Sequence, residues 1–415
     1  MDAVYGRAVM NSPAPAPQLR RSIRLGSLVL YGLGTTIGAG IYALTGVIAG
    51  RAGMFAPVAF LLASCLAAFT ALSFAELSAR LPRAGGEAVY VEAGLGSEWL
   101  SLGVGLLVTL AGVVSAATVS TAFVGYLTEL VVVPRAPAVA VVVCVVGLVA
   151  SWGVGPSVRL AAIITLVEIG GLVLVVVTAG EHWAALPVRA AEFWPGAQGA
   201  GWGAVGSAAV LAFYAFLGFE DMVNVAEEVQ DVRRALPLAI LLTLGITTLL
   251  YAVTATVAVL VVPPHELAAS EAPLALVYER CGGSPALLGA IAVFAMLNGA
   301  LVQVMKSSRV LYGMASMGRL PGRLARVHPR TQTPLLATGL ATAVALVLAL
   351  AFPLEQLAAV TSGVTLVTFA LANLALVALK RREPQPEGVR TFPSWVPVAG
   401  FCVSLGFVGF EFLGG

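Results

Sequence analysis

Leu33-Gly-Thr-Thr-Ile-Gly-Ala-Gly-Ile41 lies inside an apolar run that begins at Leu25 and continues to about Ala49. A run of that length can cross a bilayer as a helix, which needs about 20 apolar residues. Its middle nevertheless holds Gly32, Gly34, Gly38 and Gly40 around Thr35 and Thr36. Two readings follow. Small residues let two membrane helices approach closely. Alternatively the helix is broken here, because backbone freedom and hydroxyls are concentrated at mid-span. Non-helical backbone at that depth must be buried in protein or line a cavity, where its free N–H and C=O groups can hold a solute.

The composition makes this a membrane question. Of 415 residues 59 % are hydrophobic and 11 % charged, and the mean hydropathy is +0.96. That leaves too little polar surface to coat a globule in water, so a soluble enzyme is excluded. Cys65, Cys144, Cys281 and Cys402 are scattered without CxxC spacing and read as small buried hydrophobes. His182, His265 and His328 are too far apart in the chain to suggest a metal centre. No GxxxxGK[ST] phosphate loop is present, so no nucleotide or other cofactor is expected. The formal charge of +2 does not point to nucleic acid.

Eleven spans are predicted, at roughly 25–49, 57–79, 100–133, 136–152, 157–179, 203–227, 237–262, 284–315, 335–352, 354–379 and 395–412. With a cytoplasmic N-terminus, 19 of the 23 basic residues fall on the inner side. Only Arg51, Arg135, Arg189 and Arg280 fall outside, so a multi-pass protein of the cytoplasmic membrane is expected. The odd span count puts the C-terminus outside. The six tryptophans fall at or beyond span ends, where an aromatic belt forms.

A second interruption is predicted in span six. There Phe213-Tyr-Ala-Phe-Leu-Gly-Phe-Glu-Asp221 combines aromatics, a glycine and two adjacent carboxylates. Ile37 and Leu217 are 180 residues, or five spans, apart. Broken helices in corresponding positions of two halves are the sequence signature of inverted-repeat secondary transporters.

At these residues a family resemblance emerges. "GLGTTIGAGIYALTG" resembles the first-helix signature of the amino acid–polyamine–organocation transporter superfamily, and "FYAFLGFEDMVNVAEEVQDVRRALPLAI" resembles its sixth-helix signature. "RLPRAGGEAVYVEAGLG" and "SSRVLYGMASMGRLP" are similar to two further family segments, in the right order. Within the superfamily the pattern is similar to cationic-amino-acid-transporter-like bacterial permeases. The resemblance implies an all-α polytopic fold with a leucine-transporter-type core of five plus five helices and broken helices one and six. On this chain the core would be 25–379, with repeats 25–179 and 203–379. A cytoplasmic tail, 1–24, precedes it, and a cytoplasmic loop, 380–394, and an eleventh helix within 395–415 follow. Relatives usually have two helices after the core.

The resemblance also implies a site. Thr36, Ile37, Gly38, Ala39 and Gly40 would cradle the carboxylate of an amino acid through backbone N–H groups, while Tyr214, Ala215, Phe216 and Leu217 contribute from span six. Helix ends are suited to this, because free N–H groups hold an anion and free carbonyls a cation. Phe213, Tyr214, Phe216 and Met296 would favour an apolar substrate side chain.

Three ionisable groups are candidates for coupling or gating: Glu168, Glu220 and Lys306. Glu168 sits at the middle of span five among apolar residues, where a carboxylate must be paired or protonatable. Proton-coupled relatives often carry a lysine at the matching position. Glu168 could cycle a proton, or pair with Lys306. Glu220 follows the span-six break, either capping loose N–H groups or taking part in coupling. Asp221, Glu227, Glu228 and Asp231 are expected as gate or interfacial charges near the inner side, paired with Arg233, Arg234 or the Arg83 loop.

The function expected is secondary amino acid transport by alternating access, as proton symport, with exchange without net proton coupling as the alternative. Sodium is the other candidate ion, and a monomer or weak homo-oligomer in the bilayer is expected. A channel would need a continuous polar pathway, and an enzyme a nucleophile–base or metal constellation. Neither is found.

Overall fold

The computed structural model describes residues 23–82, 86–128, 130–152, 158–196, 199–331 and 333–414, without the side chains of 158–161, 199–200 and 411–414. Most of the tail 1–24, the Arg83 loop and the Arg159 side chain therefore lie outside the described residues. In chain order the helices are α1 Leu25–Thr36, α2 Ala39–Tyr42, α3 Leu44–Ala52, α4 Ala56–Arg80, α5 Gly86–Leu95, α6 Glu98–Thr128, α7 Arg135–Ser151, α8 Val158–Thr178 and α9 Leu186–Arg189. They continue with α10 Gly199–Tyr214, α11 Val232–Val261, α12 Pro264–Ala269, α13 Pro273–Arg280, α14 Pro285–Ser316, α15 Leu335–Ala351, α16 Leu354–Arg382 and α17 Trp395–Gly414.

Each of the eleven apolar stretches contains helix. By length and composition six runs among the described residues can cross a membrane, or seven if Ala162–Thr178 and Gly180–Phe193, bent by 58°, count as one. Leu25–Thr36, Arg135–Ser151, Leu335–Ala351 and Trp395–Phe410 are apolar but shorter. The eleven stretches are thus present as helices rather than as eleven full-length crossings. A helix of 12 residues such as α1 rises only about 18 Å at 1.5 Å per residue, too little for the roughly 30 Å hydrocarbon layer. Helices α5, α12 and α13 fall in segments predicted as loops. They are too short to register as apolar periodicity.

The outer surface of the bundle is apolar. Leu148, Val177, Phe294 and Val347 are each more than half exposed, a pattern that water would not tolerate and that lipid requires. Cys65, Cys144 and Cys402 share that surface, and Cys281 is half-buried. The expectation of buried cysteines is therefore corrected: in a membrane span an apolar neighbourhood can be the lipid face as well as the core. Trp99, Trp152, Trp194 and Trp395 stand exposed at or near helix ends.

Charge separates to the two ends. At one end Arg51 pairs with Glu355, Arg135 with Glu271, Arg189 with Glu192 and Arg280 with Glu266. At the other, Arg319 meets Glu92 at 2.9 Å, joining the segment after α14 to α5. The Arg319 guanidinium holds the Glu92 carboxyl below the usual carboxylate range, with Ser101 adding a hydrogen bond. Deeper at this basic end, fully buried Glu76 accepts from Arg80 at 2.7 Å and Lys380 at 2.8 Å, and from the Phe392 N–H at 2.9 Å. Lys380 also donates to the Phe392 carbonyl at 2.7 Å, and Arg80 to the Glu383 carbonyl at 2.9 Å. Glu76 therefore fastens α4, α16 and the chain leading to α17 together.

Removing one partner of such a network leaves uncompensated charge in a dry site, which costs about 3–5 kcal/mol. Glu76→Gln is expected to destabilise the purified protein by roughly that amount, read as a lowered unfolding midpoint in detergent. An unchanged midpoint would mean that water reaches Arg80 and Lys380.

Candidate functional site: two interlocked helix breaks

Helix α1 stops at Thr36. The Ile37 N–H still returns to Leu33 O at 2.7 Å, but Ile37 and Gly38 are extended, and helix resumes at Ala39. The first-turn N–H groups of Ala39, Gly40 and Ile41 have no helical acceptor. In span six α10 ends at Tyr214, and the N–H groups of Ala215, Phe216 and Leu217 reach back only three residues, at 3.0, 3.0 and 3.2 Å. Gly218 then takes φ +127° and the chain leaves as a 3-10 segment, Phe219–Glu228.

The two breaks lock into each other. Thr35 Oγ1 is 2.9 Å from Gly218 O and 3.0 Å from Gly32 O, sharing its proton between them. Thr36 Oγ1 donates to Gly32 O at 2.8 Å, and Tyr251 Oη donates to Thr36 O at 3.0 Å. A Cβ on Gly218 would collide with the Thr35 carbonyl and lie 2.8 Å from Thr36 N. A Cβ on Gly40 would collide with Ala215 Cα and lie 2.6 Å from its Cβ. These two glycines permit backbone-to-backbone contact at membrane depth.

Between the breaks lies a narrow cavity of about 40 Å³, room for a few water-sized molecules. Of the residues singled out from sequence, Thr36, Ile37, Gly38, Ala39, Gly40, Tyr214 and Leu217 line it. Ala215 and Phe216 do not: Ala215 packs on Gly40, and the Phe216 ring lies tilted against Tyr251, with ring centroids 5.1 Å apart. Phe213 and Met296 are likewise buried in the core rather than on the cavity wall. The far wall comes from Ser115 and Val119 of α6 and from Ala295, Gly299, Val302 and Gln303 of α14. Sequence reading missed these. Gln303 had a signal, as an amide within the apolar run "GALVQVM"; Ser115 is fixed by its 3.0 Å hydrogen bond to Tyr214 Oη. None of the described lining residues is charged.

The ionisable candidates sort differently from expectation. Lys306 pairs with Asp221, not with Glu168. Glu168 is buried, and neither carboxylate oxygen has a hydrogen-bond partner among the described residues. Its backbone carbonyl accepts from Tyr42 Oη at 2.7 Å. From α8 the side chain against the break is Thr165, in contact with Gly34. Glu220 accepts the Gly218 N–H at 2.8 Å, the capping role. Asp221 is 3 % exposed, so it is no interfacial charge. The reason is the direction of the 3-10 segment, which packs on α1, α4 and α11. Nearness to a span's end in sequence did not give depth.

Gly38 faces open space, and a Cβ added there would meet nothing within 4 Å, whereas one on Gly40 meets backbone. Gly38→Val is expected to fold normally, with an unfolding midpoint close to that of the parent. Gly40→Val is expected to destabilise the protein by about 1–3 kcal/mol through overpacking. Thermal unfolding of both purified variants checks this; equal destabilisation by both would contradict the geometry.

The amino acid permease family model matches residues 23–413. The chain is 28 % identical over 409 residues to the branched-chain amino acid permease BcaP of Bacillus subtilis, covering 93 % of this chain and 86 % of that protein. It is 34 % identical over 396 residues to an uncharacterized transporter of Mycobacterium tuberculosis, covering 94 % and 86 %. It is also similar to the vacuolar cationic amino acid transporter 4 of Arabidopsis thaliana, 30 % identical over 398 residues, covering 90 % and 65 %. With its signature segments at two interlocked helix breaks, and with a family match across nearly all of its length, the chain belongs to the amino acid permease family of the amino acid–polyamine–organocation superfamily.

Proposed function

We propose that this secondary-active permease moves a neutral amino acid across the cytoplasmic membrane by alternating access, coupled to protons, with its N-terminus on the cytoplasmic side. The observation that carries the reading is the uncharged cavity enclosed by the two breaks. The substrate carboxylate takes the N–H groups at the start of α2, with Gly38 leaving room for it, and the ammonium takes carbonyls at the ends of α1 and α10. No carboxylate lies on the cavity wall among the described residues, which favours a neutral side chain over a cationic one, because a buried cation needs a partner. In this reading the core is two inverted five-helix repeats, 25–179 and 203–379, with the breaks at equivalent places.

Coupling is assigned to Glu168. Its carboxyl group is buried near Tyr42, beyond the break, with no hydrogen-bond partner among the described residues, and in this reading it carries the coupling proton while the site is shut from water. When the surroundings open to water the proton can leave, and the two protonation states then belong to different faces of the cycle.

Proteoliposome transport tests both parts. Labelled leucine should show saturable counterflow, and arginine and lysine should compete poorly. Glu168→Gln, which keeps size but removes titration, should retain counterflow and lose accumulation driven by an imposed pH gradient. Gradient-driven accumulation at the wild-type level in that variant would remove Glu168 from coupling. Sodium-dependent uptake by the wild type would replace the proton.

A further inference from the structure

The segment 317–334 joins α14 to α15 at the basic end. It contains four arginines and no Asp or Glu, whereas 380–394 sets two glutamates among four basic residues and 227–234 sets three acids against two arginines. The segment is fastened at both ends. Near its start Arg319 donates to Glu92 at 2.9 Å and to Ser101 Oγ at 3.0 Å, and Leu320 and Leu324 pack with Leu311, Met314 and Ala337 beside Leu102. Near its end Thr333 Oγ1 donates to Ser151 O at 2.7 Å, and the His328 N–H donates to Thr333 O at 2.9 Å. Helices α5, α6, α7, α14 and α15 thus hold it in place.

Arg319 is taken up by Glu92. Arg323, Arg326 and Arg330 are exposed, and none of them is ion-paired with a carboxylate among the described residues. Arg323 lies in the 3-10 turn Gly322–Ala325 and Arg326 directly after it, three residues on, the spacing that brings two side chains to one side of such a turn. Met317 and Val327 are exposed in the same segment, and exposed Leu336 follows in the first turn of α15. Each fastening point has an exposed tryptophan beside it: Trp99 two residues before Ser101, and Trp152 next to Ser151. Tryptophan at the end of a membrane helix marks the headgroup layer, so the three guanidinium groups stand at the depth of lipid phosphates. Exposed Glu98 stands beside Trp99 at the edge of the patch, one acid against three arginines, and the patch stays basic.

We infer that the segment 317–334 is a seat for an anionic phospholipid. Arg323 and Arg326 take the lipid phosphate, Arg330 adds charge, and the acyl chains lie along the lipid-exposed faces of α7 and α15 at Leu148 and Leu336. A guanidinium suits this because its planar fork meets two phosphate oxygens at once, and an anionic leaflet draws basic segments to its surface. A free phosphate or an acidic peptide would satisfy the arginines but leave Met317, Val327 and Leu336 bare, whereas a lipid covers both kinds of surface. The bound lipid ties the connection between α14 and α15 to the bilayer and so stabilises the folded bundle. Neither the substrate nor the coupling assigned above enters into it.

The test compares the full chain in nanodiscs of phosphatidylcholine alone and of an equimolar mixture with phosphatidylglycerol. The unfolding midpoint should rise by several degrees in the mixture, because a ligand that binds only the folded state stabilises it, and native mass spectrometry should find phosphatidylglycerol retained on the protein. The combined variant Arg323→Gln, Arg326→Gln and Arg330→Gln should keep the midpoint in phosphatidylcholine and lose most of the rise and of the retained lipid. Arg234→Gln, Arg381→Gln and Arg390→Gln together remove the same charge elsewhere at the basic end, and should keep both. Should the first combination already unfold early in phosphatidylcholine, its three single substitutions take its place, each expected to lose part of the rise. The absence of a rise in the parent, an undiminished rise in the seat variants, or an equal loss in the control combination overturns the seat. An equal rise from inorganic phosphate added to phosphatidylcholine nanodiscs overturns the lipid as its occupant.

Discussion

The contact of Gly218 with the Thr35–Thr36 peptide is the constraint on which the rest of the molecule depends. Two chains that have both lost their helical hydrogen bonds meet in the middle of a membrane bundle, where each unpaired backbone group costs several kcal/mol. The loss is limited by local substitutes. Thr35 and Thr36 hydroxyls and the Tyr251 phenol satisfy carbonyls at the end of α1, and the Glu220 carboxylate satisfies the Gly218 N–H. Thr36 to Gly40, at the break itself, line the cavity. Helix ends that would be a defect in a lipid-facing span become a small polar surface inside protein.

Much of this was legible in the sequence, and for a physical reason. A bilayer demands long apolar helices, so any glycine–threonine cluster at mid-span stands out against a uniform background. The two breaks could be placed to within a few residues because glycine is needed at each, for space at Gly40 and for a positive φ at Gly218. Seven of nine expected lining residues came from the chain segments at the breaks themselves. The far wall did not, because Val119, Ala295, Gly299 and Val302 look like any helix interface until the fold sets α6 and α14 opposite the breaks.

The charged residues were harder to read, because depth and partner depend on how a segment turns back into the bundle. Lys306 was expected as a possible partner of Glu168, and Asp221 as a partner of Arg233, Arg234 or the Arg83 loop, whereas the 3-10 geometry after Gly218 pairs Lys306 with Asp221. Glu168, on the other side of the cavity, has no hydrogen-bond partner for its carboxylate among the described residues. The cysteines were misplaced for a related reason, since hydropathy does not separate a lipid-facing position from a core one. The resulting arrangement has a buried ionisable group on each side of a chamber whose described lining is uncharged.

The central claim is that backbone groups at the two breaks read both ends of an amino acid. The most direct measurement is displacement of labelled leucine from the purified protein by four related molecules: leucine, its methyl ester, the amine lacking the carboxylate, and the acid lacking the ammonium. Leucine alone should displace, with each of the others weaker by at least about a hundredfold, since each leaves a charged hydrogen bond unmade. Displacement by the ester or the amine as effective as that by leucine would show that the N–H groups beside Gly38 do not hold the carboxylate.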